Sequence, residues 1–251
     1  MLKTRVRFPA VFIITFCLLL QFPVFISNGK SSVVGKCSIN TIKNTYEVCS
    51  GFTLEVDSLY QNMNLAAAGL SKNVFQLALK GYKKLKSISE ISRDGILSIV
   101  DFSKPSDKKR FYILDLKARE ILLNTLVAHG RNSGMTYANS FSNKPSSNKS
   151  SLGFYKTLNS YWGEKGYALK LKGEEPGIND KAYARNIVVH GSDYADETFI
   201  RTTGHLGRSQ GCPAVPEKES KKVIDYIKNG SCLFIYHPSR QYLKKSRLVN
   251  S

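Results

Sequence analysis

Ile96-Leu97-Ser98-Ile99-Val100-Asp101-Phe102, Arg110-Phe111-Tyr112-Ile113-Leu114-Asp115-Leu116 and Ile121-Leu122-Leu123-Asn124-Thr125-Leu126-Val127-Ala128 follow one another, separated only by Ser103 to Lys109 and Lys117 to Glu120. The runs are short, apolar and bounded by turn-rich polar residues, which predicts three successive strands. Further strands are expected at Gly153 to Thr157, Tyr167 to Leu171, Asn186 to His190 and Ser231 to Tyr236. Pro216 stands where a first helical turn tolerates it, ahead of Val223, Ile224, Tyr226 and Ile227, and Gly230 ends that helix. Many short strands with one late helix predict a β-dominated α+β domain over residues 95–240, followed by a basic tail over 241–251.

Before Gly95 the periodicity is helical. Leu54, Val56, Leu59 and Tyr60 suggest a short helix, and Ser71 is an N-cap candidate before Val74, Phe75, Leu77, Ala78, Tyr82 and Leu85. Lys80, Lys83, Lys84 and Lys86 occupy the opposite face, a solvated stripe or a seat for an anionic polymer. Residues 29–94 therefore read as a polar arm and a small helical segment. The arm holds Cys37 and Cys49, for which a local disulfide is favoured over two independent thiols.

The chain has 251 residues, 42% of them hydrophobic, enough for one sizeable core and unlike a disordered or polytopic membrane chain. It opens with Lys3, Arg5 and Arg7 and no acid, then an apolar run from Ala10 to Phe25, then Ser27-Asn28-Gly29. That is the grammar of a secretory signal over residues 1–28, with Cys17 packed inside it, and it predicts export to a periplasm or cell envelope with no stable membrane span after cleavage. The formal charge is +18, and removal of the leader would leave +15. Export and the lack of an arginine-rich or aromatic RNA-binding module argue against nucleic acid as partner and for an anionic wall polymer.

The candidate chemistry lies in Ile187-Val188-Val189-His190-Gly191-Ser192 and Gly204-His205-Leu206-Gly207-Arg208-Ser209-Gln210-Gly211-Cys212-Pro213. A thiolate nucleophile needs a base in reach and donors aimed at the developing oxyanion. Cys212 fits the first role and His190 the second, with the amides of Ser209, Gly211 and Cys212 as oxyanion candidates. Arg208 supplies a charge for a substrate carboxylate or for an acid of its own fold. His205 competes as base or, with His190 and Cys212, as a metal ligand, but these three lack compact ligand spacing and no metal site is expected. His129 is either a loop histidine bonding backbone groups or a pocket-lining residue. Tyr155, Tyr161, Trp162, Tyr167 and Tyr183 serve the core or stack on sugar rings. Cys232, in an apolar run, reads as packing.

A His-Gly pair at a strand end, here His190-Gly191, followed by Ser-x-Gly-Cys, here Ser209-Gln210-Gly211-Cys212, resembles the L,D-transpeptidase catalytic domain (YkuD-like) family. The resemblance runs from about Ile96 to Tyr236 and is nearest to the branch labelled murein L,D-transpeptidase catalytic domain proteins, through segments such as Val127 to Gly134, Phe141 to Pro145 and Gly207 to Ala214. It implies a mixed β-sandwich catalytic domain, Cys212 as nucleophile and His190 as general base. It also implies a Gly191 carbonyl that orients the imidazole, and Ser209 and Gly211 shaping the oxyanion pocket. The implied activity is cysteine acyl transfer on peptidoglycan peptide stems, as transpeptidase or carboxypeptidase, with no cofactor and with carbapenems as inhibitors. Two features depart from the pattern: 18 residues separate His190 from Ser209, and Pro213-Ala214 follows the cysteine where an aliphatic residue and then Arg or Asn are typical. The rival readings are a weakly active wall-binding protein of the same fold and a cysteine amide hydrolase.

Overall fold

In the computed structural model, residues 39–164 and 166–250 are described, with side chains from Gly51 onward. The leader and the Cys37–Cys49 pairing lie outside the described residues. Chain contacts separate Met1–Lys43, of which only the first residues of one helix are described, from Asn44–Ser251.

Helix α1 runs Ile39–Asn62 and α2 runs Lys72–Ser87. Ser71 caps α2, its hydroxyl accepting from the Val74 N–H at 3.3 Å, as the sequence predicts. The apolar stripe of α2 is buried except for Leu77, which is half-buried. Part of the lysine stripe is neutralised, Lys83 by Glu55 and Lys86 by Asp94. Gly81 sits where the helix meets the sheet, and a Cβ there would lie 2.0 Å from the Phe154 ring. That ring stacks in turn on Phe234 at 4.1 Å between centroids, so α2 belongs to the core of the strands that follow it.

The expected strands all form: β1 (Ile96–Asp101), β2 (Phe111–Asp115), β3 (Glu120–Thr125), β4 (Gly153–Gly163), β5 (Gly166–Gly173), β6 (Val188–Ser192) and β8 (Cys232–Tyr236), with a further three-residue β7 at Ala214–Pro216. They make one mixed sheet in the order β3-β2-β1-β8-β4-β5-β6-β7, with β1–β8 and β6–β7 parallel. Just beyond β3, Ala128 bridges Ala214 of β7, so the two ends of the sheet meet and it curls into a nearly closed barrel. β1 and β8 are buried along their whole length, as continuous Ile/Leu/Val/Phe runs covered on both faces must be. Helix α3 (Glu197–Thr203) precedes β7, and α4 (Glu217–Ile227) follows it, with Pro216 as the residue before its first turn.

The segment expected as a basic tail instead forms α5 (Arg240–Lys245) and α6 (Arg247–Asn250), with Tyr242, Leu248 and Val249 buried. Its anchor is Glu175. This buried carboxylate accepts from the Phe154 N–H at 2.8 Å and the Tyr242 hydroxyl at 3.1 Å, and also from the Ser246 hydroxyl. Burial raises its carboxyl above the usual range. A carboxyl whose folded value exceeds its unfolded value binds the proton more tightly when folded. Its contribution therefore favours folding at acid pH and is lost as pH rises through the folded-state value. Glu175→Gln should flatten that part of the stability–pH curve, while Glu175→Ala, which orphans three donors, should cost about 2–4 kcal/mol in urea unfolding.

Candidate active site

His190 lies in β6 between Ala168 of β5 and Ala214 of β7. It is buried, and its Nδ1 is 2.8 Å from the Gly191 carbonyl. A carbonyl only accepts, so Nδ1 carries the proton and Nε2 is the basic nitrogen. The parallel register that pairs His190 with Ala214 brings Cys212, two residues earlier, beside Val188. The Val188 N–H stands 3.5 Å from the Cys212 sulfur, which is 3.7 Å from the Asn186 carbonyl oxygen. The sequence-predicted base thus lies on β6 and the sequence-predicted nucleophile on the turn leading into the neighbouring β7, and a backbone N–H faces the sulfur where thiolate charge would develop.

The turn that presents Cys212 is held from within and from behind. The Ser209 hydroxyl donates to the Cys212 carbonyl at 2.6 Å and accepts the Gly211 N–H at 3.0 Å, while the Ser209 N–H donates to the His129 carbonyl at 3.0 Å. The Gly211 amide is therefore spent inside the turn and the Ser209 amide on the His129 carbonyl behind it. These residues shape it rather than donate to an oxyanion, which revises the expectation drawn for their N–H groups. Gly211 adopts φ +124, and a Cβ there would lie 2.8 Å from the Lys149 carbonyl oxygen. Gly211→Ala should cost about 1–3 kcal/mol through backbone strain and displace the thiol. Denaturant unfolding together with the rate of Cys212 alkylation checks both effects.

Cys212 is half-buried and opens into a cleft of about 600 Å³ walled by Tyr161, Glu164, Ala168, Arg185 and Gln210 among others. His190 opens instead to a neighbouring hollow of about 460 Å³, with Ser192, Asp193, Tyr194 and Glu217. Arg208 and His205 are half-buried and line neither space; the His205 Nδ1–H donates to the Leu206 carbonyl at 2.8 Å. Arg185 and Tyr194 are functional candidates that sequence reasoning missed. Burial raises the Tyr194 phenol, and the nearby Cys212 thiolate would raise it further. The only sequence signal for Arg185 was its place in the turn-rich approach to β6.

His129 resolves as a structural histidine. Fully buried Arg110 donates to its Nδ1 at 2.9 Å, and its Nε2 is 3.2 Å from the Gly134 carbonyl, which fixes the tautomer. Burial and the Arg110 charge press its pKa down to about 4, so it stays neutral behind the turn that carries Cys212. Cys232 is buried and its thiol is pushed well up by burial. Of the aromatic candidates, Tyr155 belongs to the core, Tyr167 is half-buried, and Tyr161, Trp162 and Tyr183 are exposed. Among the described residues, no group of three or more His, Cys, Asp and Glu could hold a metal, and no helix is long and apolar enough to cross a membrane.

The family model for the L,D-transpeptidase catalytic domain matches residues 66–236, from before α2 to the end of β8. The chain belongs to the L,D-transpeptidase catalytic domain family. The match takes in α2, beyond the span over which the sequence motifs alone carried the resemblance. A search of the curated proteins found no match. Similar solved structures include an L,D-transpeptidase from Mycobacterium smegmatis at 13% identity, covering 57% of this chain and 59% of that one, with a TM-score of 0.35. An L,D-transpeptidase from Mycobacterium tuberculosis is 11% identical, with 57% and 58% covered and a TM-score of 0.37. The helical cell shape determining protein Pgp2 from Campylobacter jejuni is 16% identical, with 68% and 61% covered and a TM-score of 0.36. The L,D-transpeptidase domain thus spans between half and three-fifths of the length of the first structures it matches.

Proposed function

We propose that this protein is an exported cysteine acyltransferase that acts on peptidoglycan peptide stems. The observation that supports the reading is a tautomer-fixed His190 on β6 together with Cys212 on the turn that leads into the neighbouring β7, its side chain open to a cleft. His190 Nε2 takes the thiol proton, and the Cys212 sulfur attacks the amide carbonyl of the third, diamino-acid residue. The tetrahedral intermediate collapses to a thioester as the C–N bond breaks, and the imidazolium returns its proton to the departing terminal D-amino acid. An amine of a second stem then attacks the thioester, giving a crosslink and regenerating the thiol; water in its place gives carboxypeptidase activity. These steps call on no metal or organic cofactor.

Export rests on the leader, and the residual +15 charge would hold the mature chain near an anionic envelope polymer. Incubating the purified mature protein with defined muropeptides and following products by mass spectrometry tests the reading. A crosslinked dimer supports it; trimmed stems alone would make the protein a hydrolase. Tight sacculus binding without turnover would make it a wall-binding protein of the same fold.

A further inference from the structure

Among the described residues lining the Cys212 cleft, Arg185 carries the only positive charge. It leaves the chain just before β6 and is half-buried. Its Nη1 donates to the Ser142 carbonyl at 2.9 Å and the Ser151 hydroxyl at 2.5 Å; its Nη2 donates to the Lys149 carbonyl at 2.7 Å and the Ser147 hydroxyl at 3.3 Å. All four acceptors are uncharged and belong to one irregular segment, Ser142 to Ser151. That segment reaches the catalytic turn through Ser150, whose hydroxyl donates to the Gly211 carbonyl at 3.2 Å and accepts the Gly130 N–H at 3.0 Å.

The guanidinium itself lies against the same turn, since a Cβ on Gly211 would be 3.3 Å from Nη2. One planar fork therefore joins three things: a loop without regular structure, the residue before the nucleophile, and the cleft wall. Lysine can supply the charge there but not four divergent hydrogen bonds. The other ionisable groups around the thiol are Glu164 and Tyr161 on the β4–β5 hairpin, His190 on β6 and Tyr194 just after it. Burial lowers the Arg185 guanidinium, while Tyr155 and Cys212 act to hold its proton on.

We propose that Arg185 is a positioning residue for Cys212, fastening the Ser142–Ser151 segment behind Gly211 and holding a permanent positive charge beside the thiol. The proposal rests on Cys212 being the nucleophile, and its test separates the two claims. Alkylation of Cys212 by iodoacetamide is followed as a function of pH in the purified chain, on the Cys212 peptide by mass spectrometry, for the native protein, R185M and R185K. Limited trypsin cleavage after Lys149 reports the seating of the segment.

R185M should move the alkylation midpoint up by about one pH unit, the lower end of the effect of removing a nearby opposite charge. R185K should keep a midpoint near the native one, yet share with R185M a several-fold faster cleavage at Lys149. A native midpoint near the ordinary thiol value of about 8.5 would sink the nucleophile reading itself. A low native midpoint that R185M leaves unmoved would overturn the role of Arg185 alone. If R185M does not fold, R185K decides: a midpoint risen to that of an ordinary thiol, or trypsin cleavage at the native rate, overturns the proposal.

Discussion

Cys212→Ala is expected to abolish turnover of muropeptides, a loss on the order of 10⁴-fold or more, because among the described residues no other accessible thiol can form the thioester. Cys232 cannot substitute: it is buried in β8 and its thiol is held protonated by that burial. The fold should survive, since Cys212 is half-buried and its long contacts with one N–H at 3.5 Å and one carbonyl at 3.7 Å are together worth about 1 kcal/mol or less. Intact-mass measurement after exposure to a carbapenem gives the cleanest reading: one adduct on the native protein, none on C212A, with matching thermal melts. Turnover that persisted in C212A would remove the proposed nucleophile.

Legibility followed burial. β1, β2 and β8 were readable because strands buried on both faces are continuous apolar runs, and α2 because seven of its residues form one buried stripe. β4 was read only as far as Thr157, where burial ends; the strand continues to Gly163 through exposed residues that no hydrophobic pattern marks. β7 has three residues and exists because β6 lies beside it, so its evidence is in the partner strand rather than in its own residues. α3 buries none of its side chains and was invisible to periodicity, although Asp196 caps its start and Gly204 its end in the left-handed region. The C-terminal helices were hidden by their lysines and arginines, since Tyr242, Leu248 and Val249, with the half-buried Leu243, are the apolar residues that reach the core.

The site divides in the same way. His190, Gly191 and Cys212 were candidates from local sequence features, and the structure shows those features: a histidine bonded to its neighbour's carbonyl and a thiol on a glycine-bounded turn. Arg185 was not, because its meaning comes from a segment some forty residues away that contributes all four of its acceptors. Arg208, adjacent to Ser209 in sequence, attracted attention that the cleft lining gives to Arg185. The spending of the Ser209 and Gly211 amides was likewise unreadable, since it depends on the His129 carbonyl and the rotamer of one hydroxyl.

His190→Gln should lower muropeptide turnover by about 10²- to 10⁴-fold, the range for loss of a positioned acid–base group. Glutamine retains a polar side chain in the β6 position but cannot carry a proton between sulfur and nitrogen. The two proton transfers then respond differently to pH. Forming the nucleophile needs only loss of the thiol proton, which hydroxide can accomplish; alkylation of Cys212 in H190Q should therefore climb with pH until it approaches the native rate. Expelling the D-amino acid needs a proton delivered to a poor leaving amine, and raising the pH makes that harder, so turnover should stay depressed throughout. A merely structural role for His190 predicts otherwise: loss of the Nδ1–H bond to Gly191 would disturb the turn at every pH and depress alkylation and turnover together. Measuring both rates from pH 6 to about 10 therefore separates proton shuttle from scaffold, and turnover in H190Q that recovered alongside alkylation would assign the leaving-group proton to another residue.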